Sequence, residues 1–298
     1  MLNYKQIKGS NYLVNSLAVL PDYTLASGSW QEILIWNLTD GSYLRRLNSS
    51  DGFVKFLIVL EDGSLISADG MMDYGEVSMW NATTGQLIKM FGKNQEIRHA
   101  SYVNCLASLE GNKLASGSDD YEIFIWDIIT GRWLKKLTGH RYHVTSLASL
   151  EDFKLASSSK DEAIIIWDLF TGNLVKTLRG HTNFVLSVLS LPNKKLATGS
   201  ADESVKIWDT QNDLLIGILA EHSDVNSLIL LKDNITLASA SNGVINLWDL
   251  NSRKQVATFK GHNGSVNCLA IVDDLIVSGS NDESIIFWQF EISKQKFF

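Results

Sequence analysis

Four times along this 298-residue chain a histidine, a hydroxyl and an aspartate recur at nearly constant spacing: His99 with Ser116 and Asp120, His140 with Ser157 and Asp161, His181 with Thr198 and Asp202, His262 with Ser278 and Asp282. These are the residue types of nucleophilic acyl transfer, in which an aspartate orients a histidine that takes the proton of an attacking hydroxyl. Their recurrence points away from that chemistry. A hydrolase needs one nucleophile on an exposed, strained turn, whereas each hydroxyl here falls inside an apolar, strand-like run such as KLASSS, and the whole set is copied along the chain. No phosphate-binding glycine loop, no His/Cys cluster at metal spacing and no unusual carboxylate pair accompanies them. No catalytic residue, metal or cofactor is therefore expected.

Bulk composition narrows the function classes further. Twenty-six basic against 33 acidic side chains leave a net charge of −7, so the chain lacks the basic field that gathers a protein onto nucleic acid or anionic lipid. The first residues, MLNYKQIKGS, hold no apolar run of signal-peptide length, and stretches such as FLIVL at 56–60 are far too short to span a bilayer. A cytoplasmic or nuclear protein is expected, with no nucleic-acid partner and no membrane insertion. Cys105 in VNCLASL and Cys268 in VNCLAIV read as small buried strand residues, since two cysteines make neither a disulfide framework nor a zinc site.

The elements that carry the recurring sets are themselves copies. LASGSDDYEIFIWDIITG at 114–131 returns as LASSSKDEAIIIWDLFTG at 155–172 and LATGSADESVKIWDTQN at 196–212. Aligned on Trp36, Trp80, Trp126, Trp167, Trp208, Trp248 and Trp288, the period runs 44, 46, 41, 41, 40 and 40 residues and covers the whole chain. Each copy holds four short apolar runs separated by turn residues, which read as four strands. The third runs, IFIW, IIIW and INLW, are apolar at nearly every position, as in a sheet covered on both faces. Gly41, Gly85, Gly131 and Gly172 stand where the hairpin between third and fourth strands wants a positive φ. Such sheets, each covered by its neighbours, close radially. The expectation is an all-β, seven-bladed propeller forming a single domain over residues 1–298.

The tryptophan-acid dipeptides, the pairs Gly139-His140, Gly180-His181 and Gly261-His262, and the S-x-S-x-D turns resemble the WD40 repeat, and the resemblance covers all seven copies. It implies that the histidine, hydroxyl and aspartate of each set, with Trp126, Trp167, Trp208 and Trp288, form a hydrogen-bonded chain inside a blade, where they satisfy buried polar groups. Blade 6 departs, with Glu221 in the place of glycine before His222 and a shortened turn at Ser241-Asn242-Gly243. Blades 1 and 2 depart further, with Ser10 and Ser50 where histidine is expected. Little follows the last tryptophan, so residues 2–8 are expected to complete the sheet begun by 265–289 and to leave no open edge.

Function must then lie on the faces. Residues leading into the first strands, aligned as Leu13 and Asn15, Phe53 and Lys55, Tyr102 and Asn104, His143 and Thr145, Phe184 and Leu186, Asp224 and Asn226, Ser265 and Asn267, share a face with the turns between second and third strands. To this face a shortened blade 1 turn adds Trp30, and the lengthened ADGMMDYGE of blade 2 adds Met71, Met72 and Tyr74. Methionines and aromatics on a loop-built surface are the composition of a protein-binding patch. The expected function is a non-catalytic scaffold or adaptor that binds a protein or peptide segment there, mainly through blades 1–3, with the propeller itself a monomer. Leu13, Trp30, Phe53, Lys55, Met71, Met72, Tyr74, Tyr102 and Phe184 are the candidate contacts. The alternative is a hydrolase or lyase using the same face. The amides Asn15, Asn104, Asn226 and Asn267 read as channel-lining groups that hold water or meet a peptide backbone.

Overall fold

A computed structural model describes residues 4–8, 10–93 and 96–290. Blade 3 shows the repeating unit: strands Val103–Leu109, Lys113–Ser118, Ile123–Asp127 and Trp133–Leu137 pair antiparallel in chain order. Its third strand is buried at every position except the terminal aspartate, because a blade lies against each of its faces. The third-to-fourth hairpins turn on Gly41, Gly85, Gly131 and Gly172, with φ of 74°, 77°, 69° and 82°.

By hydrogen bonding alone, the described residues form five four-stranded sheets and one of seven strands. The register of the long strand Lys254–Val272 divides the larger sheet: its first part, 254–260, pairs with Asn242–Asp249, and its last part, 266–272, pairs with Leu275–Ser280. The first part is thus the fourth strand of blade 6 and the last part the first strand of blade 7. Tyr4–Lys8 lies antiparallel to Ser284–Gln289, with Tyr4 opposite Trp288, and supplies the outer strand of blade 7. Leu2 and Asn3 of the expected closing strand lie outside the described residues.

Side-chain packing closes the ring. Seven hydrophobic clusters occupy the described residues, each filled from two consecutive blades. One of them joins Val14, Leu25 and Trp36 of blade 1 to Cys268, Val277 and Phe287 of blade 7. Burial pushes the Cys105 thiol well above its ordinary range and the Cys268 thiol up to about 12, so both act as small apolar groups.

Two series of polar contacts tie blade to blade at the two ends of the ring. At one end Asn15, Asn104, Asn226 and Asn267 donate through Nδ2 to the carbonyls of Val54, Val144, Val266 and Val14, at 3.1, 2.9, 3.1 and 2.9 Å, and Thr145 Oγ1 reaches Val185 O. Each of these amides spends an N–H on a backbone acceptor of the next blade. At the other end, fourth-strand cations cap the next blade's hairpin: Arg45 Nη1 donates to Ala82 O, Lys89 Nζ to Ile128 O, Lys135 Nζ to Phe170 O and Lys176 Nζ to Thr210 O, at 3.1, 2.9, 2.9 and 2.8 Å.

Candidate functional site

The triad-like sets have the distances of a catalytic triad and the surroundings of a core. His140 Nε2 lies 2.7 Å from Ser157 Oγ, and Asp161 Oδ2 lies 3.0 Å from His140 Nδ1. The same arrangement joins His99 to Ser116 and Asp120, His181 to Thr198 and Asp202, and His262 to Ser278 and Asp282. In each blade the hydroxyl is fully buried and also accepts the indole N–H of Trp126, Trp167, Trp208 or Trp288, at 2.7 to 2.8 Å. An indole only donates and a carboxylate only accepts, so proton positions follow: tryptophan to hydroxyl, hydroxyl to histidine Nε2, histidine Nδ1–H to aspartate. A hydroxyl held in that way has its proton committed to the ring, and its full burial keeps it from a substrate.

The charges agree with a locked network. Burial pushes the Asp161 and Asp282 carboxyls up, but their hydrogen bonds outweigh it and hold both at about 2. The main donors are His140 and the Arg141 amide for Asp161, and Ser284 and the Asn263 amide for Asp282. Burial lowers the pKa of His181 and His262 against the pull of their aspartates, so both rings stay neutral in ordinary buffer. Blade 5 adds a buried cation, Lys206, whose Nζ lies 2.9 Å from Asp202 Oδ2.

Blade 6 corrects the sequence alignment. Glu221 does not stand in a glycine position before a network histidine; it takes the histidine's own place, four residues before Val225, and His222 is exposed. Its carboxylate accepts from Trp248 Nε1 at 3.0 Å, from Asn246 Nδ2 and from Ser239 Oγ. Burial raises its pKa against those donors. One residue is missing on the fourth-strand side: the buried Leu219 precedes Glu221 by two positions, whereas Leu178 precedes His181 by three.

The candidate partner site lies at the end of the ring that carries the amide series, where the residue leading into each first strand pairs with the following turn. Asp119 N donates to Tyr102 O, Lys160 N to His143 O and Ala201 N to Phe184 O, at 2.9, 3.0 and 2.9 Å. Blade 1 builds its part differently from the reading above. Trp30 is not in a turn but begins the strand Trp30–Asn37, beside Gln31 at φ 56°, and it pairs with Phe53 at the end of Tyr43–Phe53. That fourth strand runs on toward blade 2, and Gly52 passes so close to Gly70 that a Cβ would sit 2.0 Å from Gly70 O.

The extension brings three rings and a cation together. The Trp30 and Phe53 centroids are 4.3 Å apart at 74°, and Phe53 and Tyr102 are 6.4 Å apart. Lys55 Nζ hangs 5.0 Å from the Phe53 centroid and 5.4 Å from that of Tyr102. Met71 and Tyr74 end and begin paired strands, leaving Met72 and Asp73 as the turn; Met72 is 82% exposed, and Tyr74 lies under Arg98 at 5.5 Å. Asn94 and Gln95 of the neighbouring insertion lie outside the described residues. Leu13 is half-buried beside Val14.

Phe184 belongs to a second group that the sequence did not single out. Tyr142 stacks on His143 with centroids 4.3 Å apart, on Tyr121 at 5.7 Å and near Phe184 at 6.3 Å, and Lys160 Nζ lies 5.8 Å from the Phe184 ring. Asp119 sits between the two groups: Oδ1 accepts from Asn104 Nδ2 at 2.7 Å and lies 2.9 Å from His143 Nδ1. The available signal was positional, since Tyr121 follows the aspartate of its S-x-S-x-D turn and Tyr142 stands two residues after His140. Among the described residues, no three His, Cys, Asp or Glu side chains gather as metal ligands, and no helix is long and apolar enough to cross a membrane.

Comparison with known proteins places this geometry in a family. The description "WD domain, G-beta repeat" (WD40) matches residues 92–127, 131–168, 172–209, 214–249 and 253–289, more than half of the chain. Shorter stretches resemble Mitochondrial division protein 1 of Aspergillus niger, 38% identical over 52 residues, and that of Mycosarcoma maydis, 37% over 65 residues. A further stretch resembles Telomerase protein component 1 of Mus musculus, 33% identical over 60 residues. These matches cover 17%, 22% and 20% of this chain and only 8%, 8% and 2% of the respective relatives.

Proposed function

The chain belongs to the WD40 family, and from that premise we propose that it is a non-catalytic scaffold whose partner segment lies on the face of Trp30, Phe53, Tyr102 and Phe184. WD40 domains generally mediate protein interactions, and no catalytic family is indicated for this chain. The observation that carries the choice of face is the contact row Trp30–Phe53–Tyr102 with Lys55 over it, built where blades 1 and 2 leave the repeat. Regularity serves the ring, so a departure that collects aromatic surface around a cation is where binding was added. The reading takes residues 1–298 as one domain working in the cytoplasm or nucleus as a monomer. Its finer form extends the site beyond blades 1–3, since Tyr142, His143 and Phe184 continue the aromatic surface into blades 4 and 5.

Affinity capture from extract compares the unaltered chain with Trp30→Ala/Phe53→Ala/Tyr102→Ala and with Phe170→Ala, whose ring is 90% exposed on a third-to-fourth hairpin at the other end of the ring. Proteins held by the first and the last but lost by the triple variant are the expected result. Loss confined to Phe170→Ala would move the site to the opposite face.

A further inference from the structure

Five blades place a donor at the channel mouth that reaches the next blade's valine carbonyl: Asn15, Asn104, Thr145, Asn226 and Asn267. Blade 2 has Lys55 at that position and blade 5 has Leu186. The Lys55 side chain leaves the ring of inter-blade contacts and holds its ammonium between the Phe53 and Tyr102 rings. Lys160 does likewise over Phe184. Both residues are half-buried, and among the described residues neither ammonium has an ion pair or a hydrogen bond. Asp119 is the carboxylate whose charge reaches Lys55 and His143, and its Oδ1 already accepts from Asn104 Nδ2. Two ammonium groups against one occupied carboxylate leave surplus positive charge among aromatic rings, where water screens it poorly. Burial pushes the Lys55 ammonium below its usual range, Asp119 opposes this, and the charge of Lys160 adds to it.

We propose that this face receives an acidic peptide segment of a protein partner: Lys55 and Lys160 bind a side-chain carboxylate at the channel mouth, and the rings of Trp30, Phe53, Tyr102 and Phe184 hold the apolar residues beside it. The assignment rests on the functional reading above and adds the chemistry of the partner. Charge complementarity selects the occupant. The chain as a whole carries −7, so an acidic segment is repelled by most of the molecule and attracted here, which favours one docking site. A carboxylate suits the site better than a phosphate dianion, because both cations are lysines, point charges without the arginine fork, and Arg98 is stacked on Tyr74.

A display library of short random peptides, selected on the full chain, tests this. Selected peptides should be enriched in Asp or Glu next to Phe, Tyr or Leu. Lys55→Met and Lys160→Met, each checked by thermal melting, should weaken their binding about tenfold while Lys55→Arg retains it. Lys160→Met carries the test alone if Lys55→Met does not fold. Peptides that depend on Trp30 and Phe53 but show no acidic enrichment would overturn this inference and leave the functional reading standing. Peptides indifferent to Trp30 and Phe53, or no selected peptides, would overturn both.

Discussion

His140 in blade 4 and Lys55 in blade 2 are both half or more withdrawn from water, and they meet that situation in opposite ways. His140 is bonded through both ring nitrogens, to Ser157 and Asp161, in an arrangement that three other blades copy. Lys55 has aromatic faces for neighbours, and its position in five other blades is filled by a donor to the next blade. A polar group that is copied around the ring is closed upon itself and holds the fold. One that breaks the copy still has valence to offer. The difference is a working rule for repeat proteins: subtract the repeat, and read function in what is left.

Removing the copied group should have the largest effect, and on stability. His140→Ala strands Ser157 and Asp161 in the core and should lower stability by about 1–3 kcal/mol, read by chemical denaturation, with peptide affinity unchanged in the folded fraction. An unaltered melt accompanied by loss of a hydrolytic activity would instead make the buried set catalytic. Removing the uncopied groups should act on binding: Trp30→Ala and Phe53→Ala should each cost about 1–3 kcal/mol of partner affinity, measured by calorimetry, with little change in melting.

Acidification sharpens the comparison inside the network itself. Depressed carboxyls such as Asp161 and Asp282, at about 2, contribute stability that is present above the unfolded carboxyl range and lost as pH falls toward their folded values. The lowered histidines His181 and His262 act in the same direction, losing stability as pH falls from about 6.5. Glu221 has the opposite sign, because a raised carboxyl is most stabilising below its unfolded value and loses that contribution as pH rises through the folded one. Hydrogen exchange, corrected for intrinsic rate, should show protection falling in blades 5 and 7 between pH 7 and pH 5 while blade 6 holds or gains. A parallel fall in blade 6 would contradict the placement of Glu221. The smallest effect belongs across the ring: Ser265→Ala removes the acceptor 2.9 Å from Asn226 Nδ2 and should leave partner affinity unchanged within measurement.

Much of the fold could be read from the chain because it is written several times. One tryptophan or one Gly-His pair is a weak sign, but seven at nearly one period leave few architectures. What escaped were contacts between copies. The bond from Asn104 to Val144 joins residues 40 positions apart, and nothing within a single repeat says that the amide faces a neighbour's backbone rather than the channel. Glu221 escaped for a different reason: the register of a blade is set by its buried valine, and counting from the more conspicuous His222 misplaced it by one. Within the candidate site, Trp30 and Phe53 were legible as large apolar residues in irregular copies. Their edge-on contact depends on the fourth strand of blade 1 running on through Gly52 to Phe53. Tyr121 and Tyr142 sit in otherwise regular turns, so no irregularity of the repeat marks them.

The most direct test measures one selected acidic peptide, side by side, on His140→Ala and on Trp30→Ala/Phe53→Ala at a temperature where both are folded. A division between copied and uncopied residues requires that His140→Ala bind as the unaltered chain does despite its lower melting point, and that the double variant lose at least about thirtyfold in affinity at an unchanged melting point. The reverse, weak binding in His140→Ala and full binding in a double variant that melts early, would contradict it.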